Sequence, residues 1–280
     1  MRLALFNEGR LGIVAGDTVT DVSELLSDRP CPFPLTRMHH VIYDYGELAS
    51  RLQAWKERSP KVPLRDVRLG APLPNPSKLL AAYANYRRHS LEMARAVGRE
   101  VQESGPELFL KSPSSIIGPE EKVLLPQVPS PIFHHEAELA VVIGKKTKEI
   151  SEQDALSCVF GYTAFMDISI RKLPDRTLFR AKSYDTFGPL GPWIVTADEI
   201  PDPSNLRIEL WVNEEKRQDA STRDMTHSIR TLISFASSVT TLYPGDLIAT
   251  GTPEGVGPIH PGDRITIAIE KIGEMSVEVS

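Results

Sequence analysis

Short apolar runs separated by turn-forming residues make up most of the chain. Near its start, Arg2-Leu3-Ala4-Leu5-Phe6 and Leu11-Gly12-Ile13-Val14-Ala15 flank Glu8-Gly9, a pattern that predicts two strands around a tight turn. Val41 to Trp55 carries its apolar residues at helical spacing. Leu69-Gly70-Ala71-Pro72-Leu73-Pro74-Asn75-Pro76 breaks both patterns and reads as a linker. Residues 1–72 are therefore expected to form a small N-terminal α/β domain and residues 73–280 the main domain. Beyond the linker strands dominate. Leu139 to Gly144 and Val159 to Met166 are continuous apolar runs of the kind found in buried strands, and Asp246 to Thr250 and Arg264 to Ile269 add further strands. Two helices interrupt them. Ser151, with Asp154 three residues on, predicts a capped helix to Cys158. Ser228 to Leu242 places Ile229, Leu232, Ile233, Ala236 and Val239 along one face. The pattern predicts a β-rich α+β protein.

Composition narrows the class. With 280 residues, 41% hydrophobic and 25% charged, the chain can bury a sizeable core. A net charge of -5 gives no reason to expect nucleic acid or an anionic membrane surface. No apolar run is long enough to span a bilayer, and Met1 to Phe6 lacks a signal-peptide apolar region, so a cytoplasmic location is expected. The two cysteines, Cys31 and Cys158, argue for a reducing compartment.

The chemistry begins where an apolar run is opened by charges. Glu136-Ala137-Glu138 leads into Leu139 to Gly144, and strand alternation points both glutamates to one face. Two carboxylates on one face are ordinarily a solvated edge. On a core strand they repel, and a cation would remove that cost. Asp167 ends the second apolar run and could supply a third oxygen, a set suited to Mg²⁺ or Mn²⁺ rather than zinc. His89 and Glu92 lie three apart, on one face if helical. A carboxylate beside an imidazole fixes its tautomer and raises its basicity, as a general base needs, although such a pair is commonly only a surface contact. Lys182 precedes an aromatic, Gly/Pro-rich turn. Thr250 to Gly257 is a Gly-rich loop after a strand, without the spacing or terminal lysine of a phosphate-binding loop.

Taken in order, these segments resemble the fumarylacetoacetate hydrolase superfamily from about Leu79 to the C-terminus. The resemblance is carried by Asn85-Tyr86 with His89 and Glu92, Phe109-Leu110-Lys111, Glu136 to Gly144, Gly161-Tyr162-Thr163, Asp167-Ile168-Ser169, Lys182 to Phe187, Tyr243-Pro244-Gly245-Asp246 and Thr250-Gly251-Thr252-Pro253. It implies rolled, mixed β-sheets preceded by a small N-terminal domain, usually in a homodimer. It implies Mg²⁺ or Mn²⁺ on Glu136, Glu138 and Asp167, a water-activating dyad of His89 and Glu92, and substrate contacts from Tyr86, Arg171, Lys182 and Thr252.

One departure bears on substrate. Pro174 stands where the family often has a substrate-contacting glutamine, and it offers neither a side-chain amide nor an N–H. Arg171 and Arg180 flank the gap, which predicts a second carboxylate on the substrate. The expectation is a metal-dependent hydrolase that cleaves a C–C bond in a small dicarboxylic oxo acid, of the acylpyruvate or fumarylpyruvate kind, through an enolate held at the cation, in aromatic catabolism. The alternatives are a decarboxylase or isomerase of oxaloacetate or hydroxymuconate-like acids, and a non-catalytic oxo-acid binder.

Overall fold

The computed structural model describes residues 1–98, 100, 105–129, 131–173 and 177–280. Pro174 therefore lies outside the described residues. The main element is a sheet of twelve described strands. Its principal path runs Lys61–Pro63, Thr18–Asp21, Arg10–Ala15, Arg2–Phe6, Gly188–Thr196, Val159–Met166, Ala137–Ile143, Leu247–Ala249, Leu79–Ala82 and Leu108–Lys111. Neighbours are antiparallel except Leu247–Ala249 beside Leu79–Ala82. A five-stranded sheet packs against it, with Glu215–Ser221 at one edge, and a three-stranded sheet is centred on Ile132–His135.

The two continuous apolar runs become the central strands because both of their faces are covered. Along Ala137–Ile143 the odd positions Ala137, Leu139, Val141 and Ile143 face a core shared with Ile208, Leu210, Ile265, Ile267 and Met275 of the five-stranded sheet. The even positions Ala140 and Val142 face a second core, which holds Leu3, Leu11, Met38, Leu48 and Leu52 from the N-terminal region.

The N-terminal hairpin forms as its pattern predicts. Phe6 pairs with Arg10, and Glu8 and Gly9 turn the chain at φ +64° and +83°. Its first strand also pairs with the main sheet, Leu3 opposite Ile194, so backbone bonding crosses the Pro-rich segment's boundary. The helical stretch is two helices, Arg37–Tyr43 and Tyr45–Arg58. Asp44, at φ -114° and ψ 24°, interrupts them and pairs with Arg29. The expected helix from Ser151 is a turn followed by one 3-10 segment, Ala155–Cys158. Ser151 and Asp154 do bond reciprocally, but Val159 turns into a strand before an α-helix can propagate. The later helix spans Ile229–Val239, capped by the Ser228 hydroxyl, which accepts from Thr231 N–H. Among the described residues no helix is long and apolar enough to cross a membrane.

Candidate active site

Glu136 sits between two strands that belong to different sheets, Ile132–His135 and Ala137–Ile143. Asp167 stands at the equivalent break after Val159–Met166, and its N–H donates to Glu136 O at 2.9 Å. Glu138 lies one pleat further, opposite Phe165. Chain crossings between sheets thus bring three carboxylates together. Oxygens of Glu136, Glu138 and Asp167 lie within 4.8 Å of one another, and all three residues are buried.

The surrounding charges divide them unequally. Lys182 Nζ donates to Glu136 Oε2 at 2.7 Å and to Asp167 Oδ2 at 2.6 Å. Arg171 also pairs with Glu136, and Lys111 Nζ donates to Asp167 Oδ1 at 2.8 Å. Burial works against ionising Glu136, but Lys182 and Arg171 outweigh it and hold its carboxyl well below the usual range. Glu138 is the exception. Among the described residues no cationic side chain comes within ion-pair distance, and its one hydrogen bond is from Gly251 N–H at 2.7 Å. Burial, then Asp167 and Glu136, push its carboxyl well above the ordinary value. An unpaired carboxylate beside two others, all with hard oxygen donors, fits a small divalent cation.

The dyad forms on helix Arg87–Val97, which places His89 and Glu92 on one face. His89 Nδ1 lies 3.0 Å from Glu92 Oε2; His89 is buried while Glu92 is partly exposed, so the imidazole is not a solvated surface group. Glu92 Oε1 also accepts from Gly255 N–H at 3.3 Å. Burial opposes its ionisation, yet the His89 and Gly255 bonds leave its carboxyl below the ordinary value. With Nδ1 facing the carboxylate, Nε2 of His89 is the nitrogen left to accept a proton.

The Gly-rich loop closes the site. Thr250 N–H donates to Leu139 O, and Asn85 Nδ2 donates to Thr250 O at 2.8 Å and His227 O at 2.9 Å. Gly251 adopts φ +92°, and a Cβ there would meet Asn85 Cβ at 2.7 Å, so glycine is required. Thr252 is buried, and its Oγ1 accepts from Gln218 Nε2 at 2.9 Å, which leaves its hydroxyl proton free to donate. Tyr86 is 1% exposed, its hydroxyl has no partner among the described residues, and burial beside Glu138 raises its pKa. Arg171 Nε donates to His134 Nδ1 at 3.3 Å. Arg180 lies on the short helix Leu178–Lys182 that presents Lys182.

The structure adds residues to which pattern reading gave no role. Lys111 is fully buried between Asp167 and the Lys182 carbonyl. A lysine ending the strand Leu108–Lys111 was visible, but nothing local shows that it points inward. Asn85 was visible beside Tyr86, but its bonds to residues 142 and 165 positions away were not. Gln218 lies in the charged segment Glu215–Ser221, which carries no signal at all.

A carboxylate centre for a divalent cation, a histidine–glutamate dyad and a glycine-rich loop, set where rolled β-sheets meet, define a metal-dependent enzyme of β-rich architecture. The model of the fumarylacetoacetate (FAA) hydrolase C-terminal family matches residues 78–280, and the chain belongs to that family. It is 41% identical over 289 aligned positions to maleylpyruvate hydrolase of Aquipseudomonas alcaligenes, covering 100% of this chain and 99% of the relative. It is 41% identical over 226 positions to an oxaloacetate tautomerase of Bacillus subtilis, covering 77% and 74%. The crystal structure of maleylpyruvate hydrolase from Sphingobium sp. SYK-6, in complex with manganese(II) and pyruvate, superimposes with a TM-score of 0.89 at 43% identity, covering 100% of this chain and 98% of that one.

Proposed function

We propose that this protein is a Mg²⁺- or Mn²⁺-dependent hydrolase that cleaves a C–C bond in a small dicarboxylic oxo acid of the maleylpyruvate type. The observation that carries the reading is the buried His89, paired with Glu92, in a chain that also gathers the Glu136, Glu138 and Asp167 cluster. Those three carboxylates would hold the cation. When bound, it supplies positive charge that organises the oxygens of the 2-oxo acid and lowers the energy of negative charge developing there. Lys182, one hydrogen bond from both Glu136 and Asp167, adds a fixed cation at the same place. Thr252 donates its hydroxyl proton to a substrate oxygen, and Tyr86, whose hydroxyl has no partner among the described residues, is assigned a second substrate contact.

His89 Nε2 takes a proton from water as the water adds to the carbonyl carbon distal to the 2-oxo acid. Glu92, held by Gly255 N–H, keeps the imidazole in the right tautomer and stabilises its charge. Breaking the C–C bond then releases one carboxylic acid, and the remaining three-carbon fragment takes up a proton to become pyruvate. Decarboxylation or tautomerisation of related oxo acids would use the same cation and Lys182. Neither needs a base for water, and the His89–Glu92 pair therefore favours hydrolysis. Arg171 and Arg180 are assigned to a distal carboxylate of the substrate. A cytoplasmic homodimer completes the reading, expected to elute near twice 31.1 kDa.

The test is hydrolysis of maleylpyruvate, fumarylpyruvate, acetylpyruvate and oxaloacetate, followed by loss of enol absorbance. Chelation should abolish turnover and Mn²⁺ or Mg²⁺ should restore it. Glu138→Gln should weaken Mn²⁺ binding, read by calorimetric titration. The diacids should be preferred over acetylpyruvate by about 10- to 150-fold in kcat/KM, the worth of one charge-assisted contact. Full activity in excess chelator, or tautomerisation without hydrolysis, overturns the reading.

A further inference from the structure

The strand Glu215–Ser221 is the edge of the five-stranded sheet, and Gln218 is its one buried residue, 1% exposed. A buried primary amide on a strand whose other residues are exposed or half-buried must use its hydrogen-bonding groups or cost stability. Gln218 does use them, and its partners come from both halves of the site. Its Oε1 accepts from Ala137 N–H at 3.0 Å, between the two glutamates, and from His135 Nδ1 at 3.3 Å. Its Nε2 donates to Thr252 Oγ1 and Pro253 O, each at 2.9 Å. The amide cannot be flipped, because the Ala137 N–H needs an acceptor and the Pro253 carbonyl needs a donor. This orientation places the His135 proton on Nδ1.

Packing adds to the link. A Cβ on Gly255 would lie 2.0 Å from Arg217 O, so the loop backbone rests directly on this strand. Gly255 N–H is also the donor to Glu92. One amide therefore ties the glutamate strand to the loop that carries Thr252 and seats the dyad.

We propose that Gln218 is a positioning residue that sets the distance between the metal-binding carboxylates and the Thr252–Gly255 loop, and so acts on substrate rather than on metal. The inference rests on the reading above that Thr252 contacts substrate. Gln218→Met keeps the volume and removes every hydrogen bond. It should lower kcat/KM for maleylpyruvate about ten- to a hundredfold, chiefly through KM, as a loop displaced by a fraction of an ångström would. Mn²⁺ affinity by titration should stay within about twofold, since the carboxylates are untouched. Thr252→Val should give a loss of similar size, and the double variant should lose less than the product of the two. If Gln218→Met does not fold, Gln218→Glu keeps the acceptor side, turns a carboxylate toward Pro253 O, and should show the same split.

Unchanged kcat/KM in the Gln218 variant with an impaired Thr252→Val overturns this inference alone. Losses that multiply in the double variant, or that follow Mn²⁺ affinity, also overturn it. An unimpaired Thr252→Val removes the substrate contact itself, and the positioning route with it.

Discussion

At the scale of single residues, two equally buried histidines, His89 and His39, are distinguished by their partners. His89 is enclosed, with Nδ1 committed to Glu92. His89→Ala should lower hydrolytic turnover by about two to four orders of magnitude, the usual worth of a general base. Mn²⁺ affinity and the urea midpoint should hardly move, and unchanged hydrolysis would reduce the dyad to a structural pair.

His39 sits far from this chemistry and titrates with a different consequence. Its Nδ1 accepts from Thr36 N–H at 3.0 Å and its Nε2 donates to Asn75 O at 3.1 Å, which requires the neutral ring. Burial lowers its pKa below the ordinary 6.5. The unfolded chain therefore takes up a proton near that pH while the folded chain resists it. The contribution to stability is full above 6.5 and is lost progressively as pH falls below it. His39→Gln keeps a side chain able to cap the helix and removes the titration. The urea midpoint of that variant should fall less steeply than wild type between neutral pH and pH 5. Parallel pH curves would show that His39 does not contribute.

That Glu136, Glu138 and Asp167 cluster, and that His89 meets Glu92, was legible because their types and their places at strand starts, strand ends and helical spacing point to it. Lys111, Asn85 and Gln218 were not, since each acquires its role only from partners more than thirty residues away.

At the scale of elements, the central strands were legible and the helices less so. A continuous run such as Leu139 to Ile143 has one stable solution, a strand covered on both faces. Helical spacing from Val41 to Trp55 could not show the break at Asp44, the residue that pairs with Arg29. Spacing also hides how closely strands approach. Gly161, opposite Thr196, leaves no room for a side chain, since a Cβ there would lie 2.3 Å from Val195 O. Gly161→Ala must push apart the two strands that lead to Asp167 and to the N-terminal hairpin. Overpacking of this kind costs about 1–3 kcal/mol or more. It should appear as a lower urea midpoint with an unchanged slope. A midpoint equal to wild type would mean that the ladder between these strands is more compliant than its contacts indicate.

At the scale of the whole molecule, the Pro-rich segment divides the sequence pattern while the sheet and the core run across it. Leu3 pairs with Ile194, and Arg2 with Val195. Leu3, Leu11, Ile13, Met38 and Leu48 share one core with Val142, Phe160, Leu190 and Ile194, and Tyr45 meets Phe160 edge-on at 5.0 Å between ring centres. Sequence pattern finds boundaries through composition, and nothing in composition reports which strand a hairpin will join. Removing residues 1–72 would uncover the second face of the central strands and strip Ile194 and Val195 of their partners along one edge of Gly188–Thr196. Fully exposing each large apolar side chain costs about 1.5–3 kcal/mol, so four or five of them amount to the whole stability of an ordinary domain, about 5–15 kcal/mol. A bare sheet edge adds a template for aggregation. The fragment 73–280 should therefore be insoluble, or bind a hydrophobic dye and lack near-ultraviolet dichroism, although it retains Glu136, Glu138, Asp167 and the dyad. Co-expression with residues 1–72 as a separate chain should recover soluble, Mn²⁺-binding protein, because the ladder and the shared core need no covalent link. A fragment that folds alone with wild-type turnover would show that the central sheet is stable with one face open, and that the N-terminal region is an appendage to the catalytic fold.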